Sequence, residues 1–109
     1  MDRELIRGNI PTLILSLLAE TPSYAYEMSE NLKKQTGGVI TLLDGSLYNS
    51  LKQLEELGLV RSYWETQPNG RERRYYEILE EGWQELQIRL KQCQEFQVAM
   101  NIVIPTNNL

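Results

Sequence analysis

The stretch LVRSYWETQPNGRERRYYEI, residues 59–78, decides the fold. Two β-rich runs flank the segment QPNG, and an Asn-Gly pair between such runs is a strong sign of a β-hairpin. The returning run carries Arg71, Arg73 and Arg74, although the chain has a net charge of −4 at neutral pH. These arginines either solvate the end of a strand or form an edge that meets phosphate.

Two helix patterns lie at the start of the chain. Asn9 is predicted to cap a first helix, IPTLILSLLAE, in which Pro11 falls in the first turn and apolar residues recur at helical spacing. Pro22 ends this helix, and Ser23 is predicted to cap the second one. The second helix ends at the glycines of the TGG segment, because glycine readily adopts the left-handed conformation of a helix C-cap.

A third helix precedes the hairpin. Asp44 is predicted to cap it and Gly58 to close it, with its leucines on one side. The segment VITL before this helix forms either a small strand or an extended link. After the hairpin, the run LEEGWQELQIRLKQCQEFQVAM predicts a last helix with a heptad-like apolar seam.

The order of these elements indicates the fold class. Three helices followed by a two-stranded hairpin is the pattern of a winged helix-turn-helix. We therefore predict a mainly α fold with a small β-hairpin. Its winged helix-turn-helix DNA-binding domain covers residues 1–78, a C-terminal dimerisation helix covers 79–104, and a tail covers 105–109.

The sequence gives little support to catalysis. It has no histidine, its single cysteine, Cys93, falls on the apolar seam of the last helix, and no Gly-rich phosphate loop or zinc motif is present. We therefore predict that the protein is not an enzyme and uses no metal or cofactor. No signal peptide is visible and the apolar run of the first helix is too short to span a bilayer, so we predict a cytoplasmic protein without membrane contact.

The third helix is the candidate for reading DNA bases. In helix-turn-helix proteins the second helix of the motif enters the major groove, and its N-terminal residues reach base edges. Here that end offers Ser46, Tyr48, Asn49 and Lys52. Asparagine can bind adenine through two hydrogen bonds, lysine can bind guanine or phosphate, and hydroxyl groups can donate to phosphate oxygens. The alternative is an ordinary amphipathic helix with a polar outer face.

The hairpin is the candidate for binding the DNA backbone. Asn69 and Gly70 predict a tight tip that can approach phosphate closely. Arg71, Arg73 and Arg74 supply permanent charge and forked donors, against a single glutamate between them. The surplus of arginine favours phosphate binding over a merely solvated strand.

The tyrosines near these segments have separate predicted roles. Alternation along the returning strand places Tyr76 on one face and Arg73 and Tyr75 on the other, so at least one tyrosine belongs to the core. Tyr24, at the start of the second helix, is a candidate contact to phosphate. Tyr26 is expected to pack against the third helix.

Three segments resemble the PadR family of bacterial transcriptional regulators: PSYAYEMSENLKK, LLDGSLYNSLKQLEELGLVRSYWE and NGRERRYYEILEEGWQEL. The GSLY motif is the most specific of them, and the Arg-rich run that ends in two tyrosines supports it. The resemblance implies a winged-helix homodimer, usually a repressor, whose C-terminal helix packs with the first helix of the partner. The short chain resembles the compact PadR subclass, which includes multidrug-responsive repressors. It departs from the family where Tyr24-Ala25-Tyr26 replaces His-Gly-Tyr and where Leu79-Glu80 replaces a threonine cap.

The resemblance also implies a dimer interface and a place for a ligand. In multidrug-responsive members an aromatic residue of the last helix lines a pore between the subunits, so a small-molecule inducer is a candidate partner. The comparable position here is Cys93, with Phe96 one turn later, but Trp83 and Phe96 are assigned to dimer packing in preference to ligand binding. The expected interface comprises apolar residues of the first and last helices: Leu13, Leu17, Trp83, Leu86, Leu90, Cys93, Phe96 and Met100.

Taken together, these features predict a dimeric repressor that binds a pseudo-palindromic operator in double-stranded DNA through the third helix and the wing. Residues 1–74 hold nine Lys/Arg and ten Asp/Glu, whereas residues 75–109 hold two and five, so the acid excess lies mostly in the C-terminal segment. The alternative is a winged-helix protein-interaction module that no longer binds DNA. The negative charge favours this alternative and the Arg-rich wing opposes it.

Overall fold

The computed structural model describes residues 1–105 of the chain, which form helices and a small sheet. The predicted tail, 105–109, lies outside the described residues except for Pro105. None of the helices in the described part is both long and apolar enough to cross a membrane. The elements are α1 (Arg3–Arg7), α2 (Ile10–Glu20), β1 (Ser23–Tyr24), α3 (Ala25–Gln35), α4 (Asp44–Glu56), β2 (Val60–Thr66), β3 (Glu72–Ile78) and α5 (Glu80–Val103).

The predicted hairpin is confirmed. Strands β2 and β3 pair antiparallel from Val60 opposite Ile78 to Thr66 opposite Glu72. At the tip, the Gly70 N–H donates to the Gln67 carbonyl over 2.9 Å, and Gly70 has a left-handed φ of 84°. A three-residue loop that ends in a left-handed residue is a common hairpin connection, and glycine adopts that conformation without strain.

A third strand was not predicted. Ser23 and Tyr24 form β1, which pairs antiparallel with β3, with Ser23 opposite Tyr76 and Tyr24 opposite Tyr75. The prediction that Ser23 caps the second helix is therefore wrong. Its hydroxyl donates to the Thr21 carbonyl over 3.2 Å, and α3 begins two residues later at Ala25. The free edge of β3 offers backbone partners, so the segment continues the sheet before it turns into the helix.

Of the other two predicted caps, Asn9 is the N-cap residue of α2 as predicted, whereas Asp44 is not the cap of α4. The Asn9 side chain makes no capping bond to α2, because its carboxamide donates back to the Leu5 carbonyl over 2.8 Å and closes the unpredicted helix α1. Asp44 is the first residue of α4, and Leu43 precedes it in extended conformation without a side-chain cap. The carboxylate of Asp44 still lies in the first turn, where the helix dipole favours negative charge.

The core is centred on α2 and receives one face of each neighbouring element. Ile14 and Leu15 of α2 are fully buried, and so is Leu51 of α4. Tyr76 of β3 is 4% exposed, which confirms that one of the two adjacent tyrosines belongs to the core. The segment VITL joins α3 to α4 as an extended link without a strand. These contacts leave one face of α4 and most of the hairpin at the surface.

The last helix is fixed to the body at one end only. The Leu79 N–H donates to the Leu59 carbonyl over 3.0 Å, and Gly82 packs directly against that same carbonyl. Leu86 is buried against the core, whereas every residue from 91 to 103 is exposed. A helix of 24 residues is about 36 Å long, so α5 extends well beyond the rest of the chain.

Candidate nucleic-acid interface

The exposed face of α4 carries the polar residues that the sequence predicted for base reading. Leu47, Leu51 and Leu54 of this helix are buried in the core, which fixes the rotation of the helix about its axis. The positions of α4 on the side opposite these leucines therefore face solvent. Among the predicted residues Tyr48, Asn49 and Lys52 are exposed, and Ser46 is partly buried.

Arg71 lies at the tip of the wing, the hairpin formed by β2 and β3. Asn69, Gly70 and Arg71 are all exposed. The Asn69 carboxamide oxygen accepts the Arg71 N–H over 3.0 Å, which orders the tip. Among residues 1–105 the Arg71 side chain has no ion-pair partner. A guanidinium in this state keeps its full charge and all of its donors for an external anion.

Arg73 lies on the outer face of the sheet, where the structure brings it together with Tyr24. Its guanidinium carbon is 4.3 Å from the centre of the Tyr24 ring, and Nη1 donates to the Gln67 side chain over 3.3 Å. The Tyr24 ring meets Tyr75 edge-on at 5.4 Å, and Tyr75 stacks on Tyr63 at 5.9 Å. The cation and three aromatic rings form one layer across all three strands, and this layer holds Arg73 in a defined direction.

Arg74 lies on the opposite face and is bound to α4. Its Nη2 donates to the Ser62 hydroxyl over 2.9 Å and to the Glu55 carboxylate over 3.3 Å. The Ser62 hydroxyl in turn donates to Glu55 over 2.9 Å. The two neighbouring arginines therefore do not converge on one site, because successive side chains of a strand point to opposite faces.

Two tyrosines near this surface differ in their surroundings. Tyr26 is 68% exposed, so the prediction that it packs against the third helix is wrong. The reason is that α3 turns Ala25, Met28 and Leu32 inward and leaves Tyr26 on its outer side. Burial raises the pKa of Tyr76, and the nearby positive charge of Arg74 opposes this rise. The phenol of Tyr76 is therefore neutral at physiological pH.

The residues predicted for a dimer interface fall into two groups. Leu17 and Leu86 are buried inside the chain itself because α5 packs against α2, and Leu13 is partly buried. These residues therefore belong to the core of the single chain, where α2 packs against α5. The others lie on the exposed surface of α5: Trp83, Leu90, Cys93, Phe96 and Met100.

Sequence reasoning missed other apolar side chains on the same helix. Ile88, Val98, Ile102 and Val103 are each more than half exposed. They fall outside the heptad seam, so a search for that seam does not find them. Their exposure shows that the apolar surface of α5 is wider than a single stripe.

A shallow groove lies where α1 and the start of α2 approach α5. Leu5, Asn9, Thr12, Cys93 and Phe96 line it. The Cys93 sulfur is 4.0 Å from the carboxamide oxygen of Asn9, at the limit of a sulfur hydrogen bond. The groove is open to solvent and places Cys93 and Phe96 on the same surface.

Comparison with known proteins agrees with this geometry. The profile of the "Transcriptional regulator PadR-like family" matches residues 14–88. The chain is similar to the solved structure of a transcriptional regulator from Clostridium thermocellum, with 31% identity, a TM-score of 0.78 and 94% of each chain covered. It is also similar to a PadR family transcription regulator from Clostridium difficile, with 30% identity, a TM-score of 0.76, and 88% of this chain and 98% of that chain covered.

A third solved structure contains nucleic acid. It is Bacillus subtilis PadR in complex with operator DNA, with 25% identity, a TM-score of 0.66, and 73% of this chain but 45% of that chain covered. The likeness covers less than half of the length of that protein. Because the family profile spans most of the sequence and the solved relatives share the arrangement of helices and wing, this protein belongs to the PadR-like family of transcriptional regulators.

Proposed function

We propose that this regulator is a dimeric repressor that binds double-stranded DNA through α4 and the wing. One observation carries the proposal: the polar face of α4, with Asn49 and Lys52, is exposed beside a hairpin whose tip presents Arg71. In the described part of the chain, Arg71 has no ion-pair partner. Helix α4 would enter the major groove while the wing follows the phosphate backbone. The DNA complex of the Bacillus subtilis protein supports this arrangement by likeness of fold.

The proposed dimer forms through α5. Most residues of its outer half are exposed, and many of them are apolar, including Phe96, Val98 and Met100. Apolar side chains exposed in this number mark an interaction site, and a second copy of α5 would cover those on one side of the helix. A two-fold dimer would present two copies of α4 to half-sites about one helical turn apart on a pseudo-palindromic operator.

Dimerisation also resolves the conflict between an acidic chain and an anionic ligand. The surplus of acidic residues lies in the segment that contains α5, away from the wing. Two subunits double the number of wing arginines that meet the backbone, whereas the acidic helices meet each other near the dimer axis. The affinity for DNA then depends on where the positive charges lie on the surface more than on the net charge of the protein.

The same proposal assigns two further properties. A protein that binds operator DNA works where the chromosome lies, so we place this regulator in the cytoplasm. A small-molecule inducer would act at the groove that Cys93 and Phe96 line, since both residues also belong to the proposed dimer interface. Regulation of transcription, with no chemical step, is the proposed role of the chain.

The test is a fluorescence-polarisation titration with a labelled fragment from the DNA upstream of the protein's own gene, at several salt concentrations. Light scattering on the same sample reports the oligomeric state. We expect saturable binding by a dimer, preference over random DNA, and an affinity that falls steeply with salt. A dimer that fails to bind at low salt would overturn the repressor assignment and favour a winged-helix protein-interaction module.

A further inference from the structure

Trp64 is an exposed large hydrophobic residue of the hairpin. It is 64% exposed, whereas Val60 on the same strand and Tyr76 on the next are buried. The indole therefore contributes little to the core. A single exposed apolar residue does not by itself indicate a binding site. The position of Trp64 on the wing is what suggests a role in binding.

The register of the strands defines the side on which Trp64 lies. Trp64 of β2 is directly opposite Arg74 of β3, and Ser62 is two residues earlier on the same strand. Side chains two residues apart share a face, so Ser62, Trp64 and Arg74 lie on one side of the hairpin. Ser62 and Arg74 both contact Glu55 of α4, so this is the side that faces α4.

The place of Trp64 along the hairpin is equally defined. Starting from the core, the pairs on this face are Val60 with Ile78, Ser62 with Tyr76, and Trp64 with Arg74. The Trp64 pair is one step nearer to the tip than the Ser62 pair. The indole therefore lies on the α4-facing side of the wing, level with Arg74 and further towards the tip than Ser62.

We infer that Trp64 is a DNA-contact residue that packs against the sugar-phosphate backbone between the segment read by α4 and the segment followed by the wing tip. This inference rests on the proposed function. An indole has a broad apolar surface and a single N–H donor, which suit a deoxyribose ring and a neighbouring phosphate oxygen. The contact is non-ionic, unlike those of the wing arginines.

Fluorescence tests this inference directly, because the chain contains two tryptophans and the other, Trp83, lies on α5. Trp83→Phe leaves Trp64 as the sole reporter, and Trp64→Phe leaves Trp83. Polarisation of the labelled operator fragment measures the binding of each variant independently. We expect the Trp64 emission to change in intensity or wavelength along the same saturation curve as the polarisation, and the Trp83 emission to stay constant.

Affinity gives a second readout. We expect Trp64→Ala to weaken operator binding by about three- to ten-fold, as for the loss of one aromatic contact, with an unchanged slope of affinity against salt. Trp64→Phe retains most of the apolar surface and should lose less affinity. Since Trp64 is exposed, thermal melting of both variants should match that of the wild type.

The outcomes separate this inference from the proposed function. If the protein binds DNA while the Trp64 emission stays constant and Trp64→Ala keeps the wild-type affinity, the role of Trp64 is overturned and the proposed function stands. Absence of operator binding by the wild-type dimer overturns the proposed function and this inference together. A loss of affinity accompanied by a flatter salt dependence would show an ionic role for this part of the wing and would contradict the assigned contact.

Discussion

The guanidinium of Arg74 lies 3.3 Å from the carboxylate of Glu55, so an ion pair joins the wing to α4. The two residues are 19 positions apart in the chain, and the Ser62 hydroxyl bridges them. The proposed groove-binding helix and the proposed backbone-binding hairpin are therefore held in a fixed relation. The three arginines of the wing therefore differ in their contacts: Arg73 stacks on Tyr24, Arg74 pairs with Glu55, and Arg71 has no ion-pair partner within residues 1–105.

Replacing Glu55 with glutamine should release the charge of Arg74. We expect Glu55→Gln to bind all DNA sequences more tightly and to steepen the slope of log affinity against log salt by up to about one, the value of one added phosphate contact. Polarisation titrations at several salt concentrations measure the slope. Glu56→Gln is the matched control, because it removes the same charge from an exposed neighbour that has no ion pair within the described residues. Equal effects of the two substitutions would mean that Arg74 gains no contact when it is released.

Replacing Arg71 with alanine should remove one phosphate contact at the wing tip. We expect Arg71→Ala to weaken binding to operator and random fragments alike and to reduce the salt slope by about 0.9. Arg74→Ala should change the slope less, because its charge is already shared with Glu55. Lys91→Ala, which removes an exposed charge from α5, serves as the control for net charge. A change in sequence preference without a change in slope would contradict the assignment of Arg71 to the backbone.

Asn49 should act on sequence preference. We expect Asn49→Ala to lower operator affinity by about 1–3 kcal/mol while affinity for random DNA and the salt slope stay unchanged, because a base contact is lost and no phosphate contact is lost. Parallel titrations with the two fragments measure the difference. Gln53→Ala lies one turn further from the N-terminal end of α4 and should have a smaller effect. A uniform loss on both fragments would instead place Asn49 at the backbone.

Gly82 should be essential to the junction between the wing and α5. A β-carbon at this position would lie 2.1 Å from the Leu59 carbonyl oxygen and 2.7 Å from the Ile78 side chain, so the helix would have to move. We expect Gly82→Ala to lower the free energy of unfolding by about 1–3 kcal/mol, the usual cost of overpacking. Thermal and urea unfolding measure it. Gly8→Ala is the control, because its φ is −67° and open space surrounds it, and it should leave stability unchanged or slightly higher. Equal melting temperatures of the two variants would contradict the close contact at Gly82.

The sequence predicted those elements whose signals are local. The hairpin follows from its turn residues, and the helices from the spacing of their apolar residues. The strand β1 was missed because it has two residues and exists only through its pairing with β3, more than 50 positions away. Ser23 follows Pro22 and precedes a helical pattern, and serine is a common N-cap residue. The local sequence therefore favours a cap over a strand. Alternation correctly placed Arg73 and Tyr76 on opposite faces of their strand.

The partners of the site residues could not be predicted in the same way. Alternation along β3 assigns Arg74 to one face of the strand, but it does not predict that the Glu55 carboxylate of α4 lies next to that face. The stacking of Arg73 on Tyr24 likewise depends on the unpredicted strand β1. Glycine is unfavourable inside a helix, and the reason for Gly82 in α5 is the Leu59 carbonyl that lies beside it. Long-range contacts decide which charges remain available, and a single sequence does not specify them.

The junction at Leu79 has a mechanical consequence. Strand β3 ends at Ile78 and α5 begins at Glu80, so one residue connects them, and its N–H is bound to the Leu59 carbonyl. The helix cannot tilt relative to the hairpin without breaking this bond or opening the contact at Gly82. In the proposed dimer, the angle at which two such helices cross would therefore set the distance between the two wings. A ligand that changed that angle by a few degrees would change the distance between the wings. That distance would then no longer match the spacing of the two half-sites on the DNA.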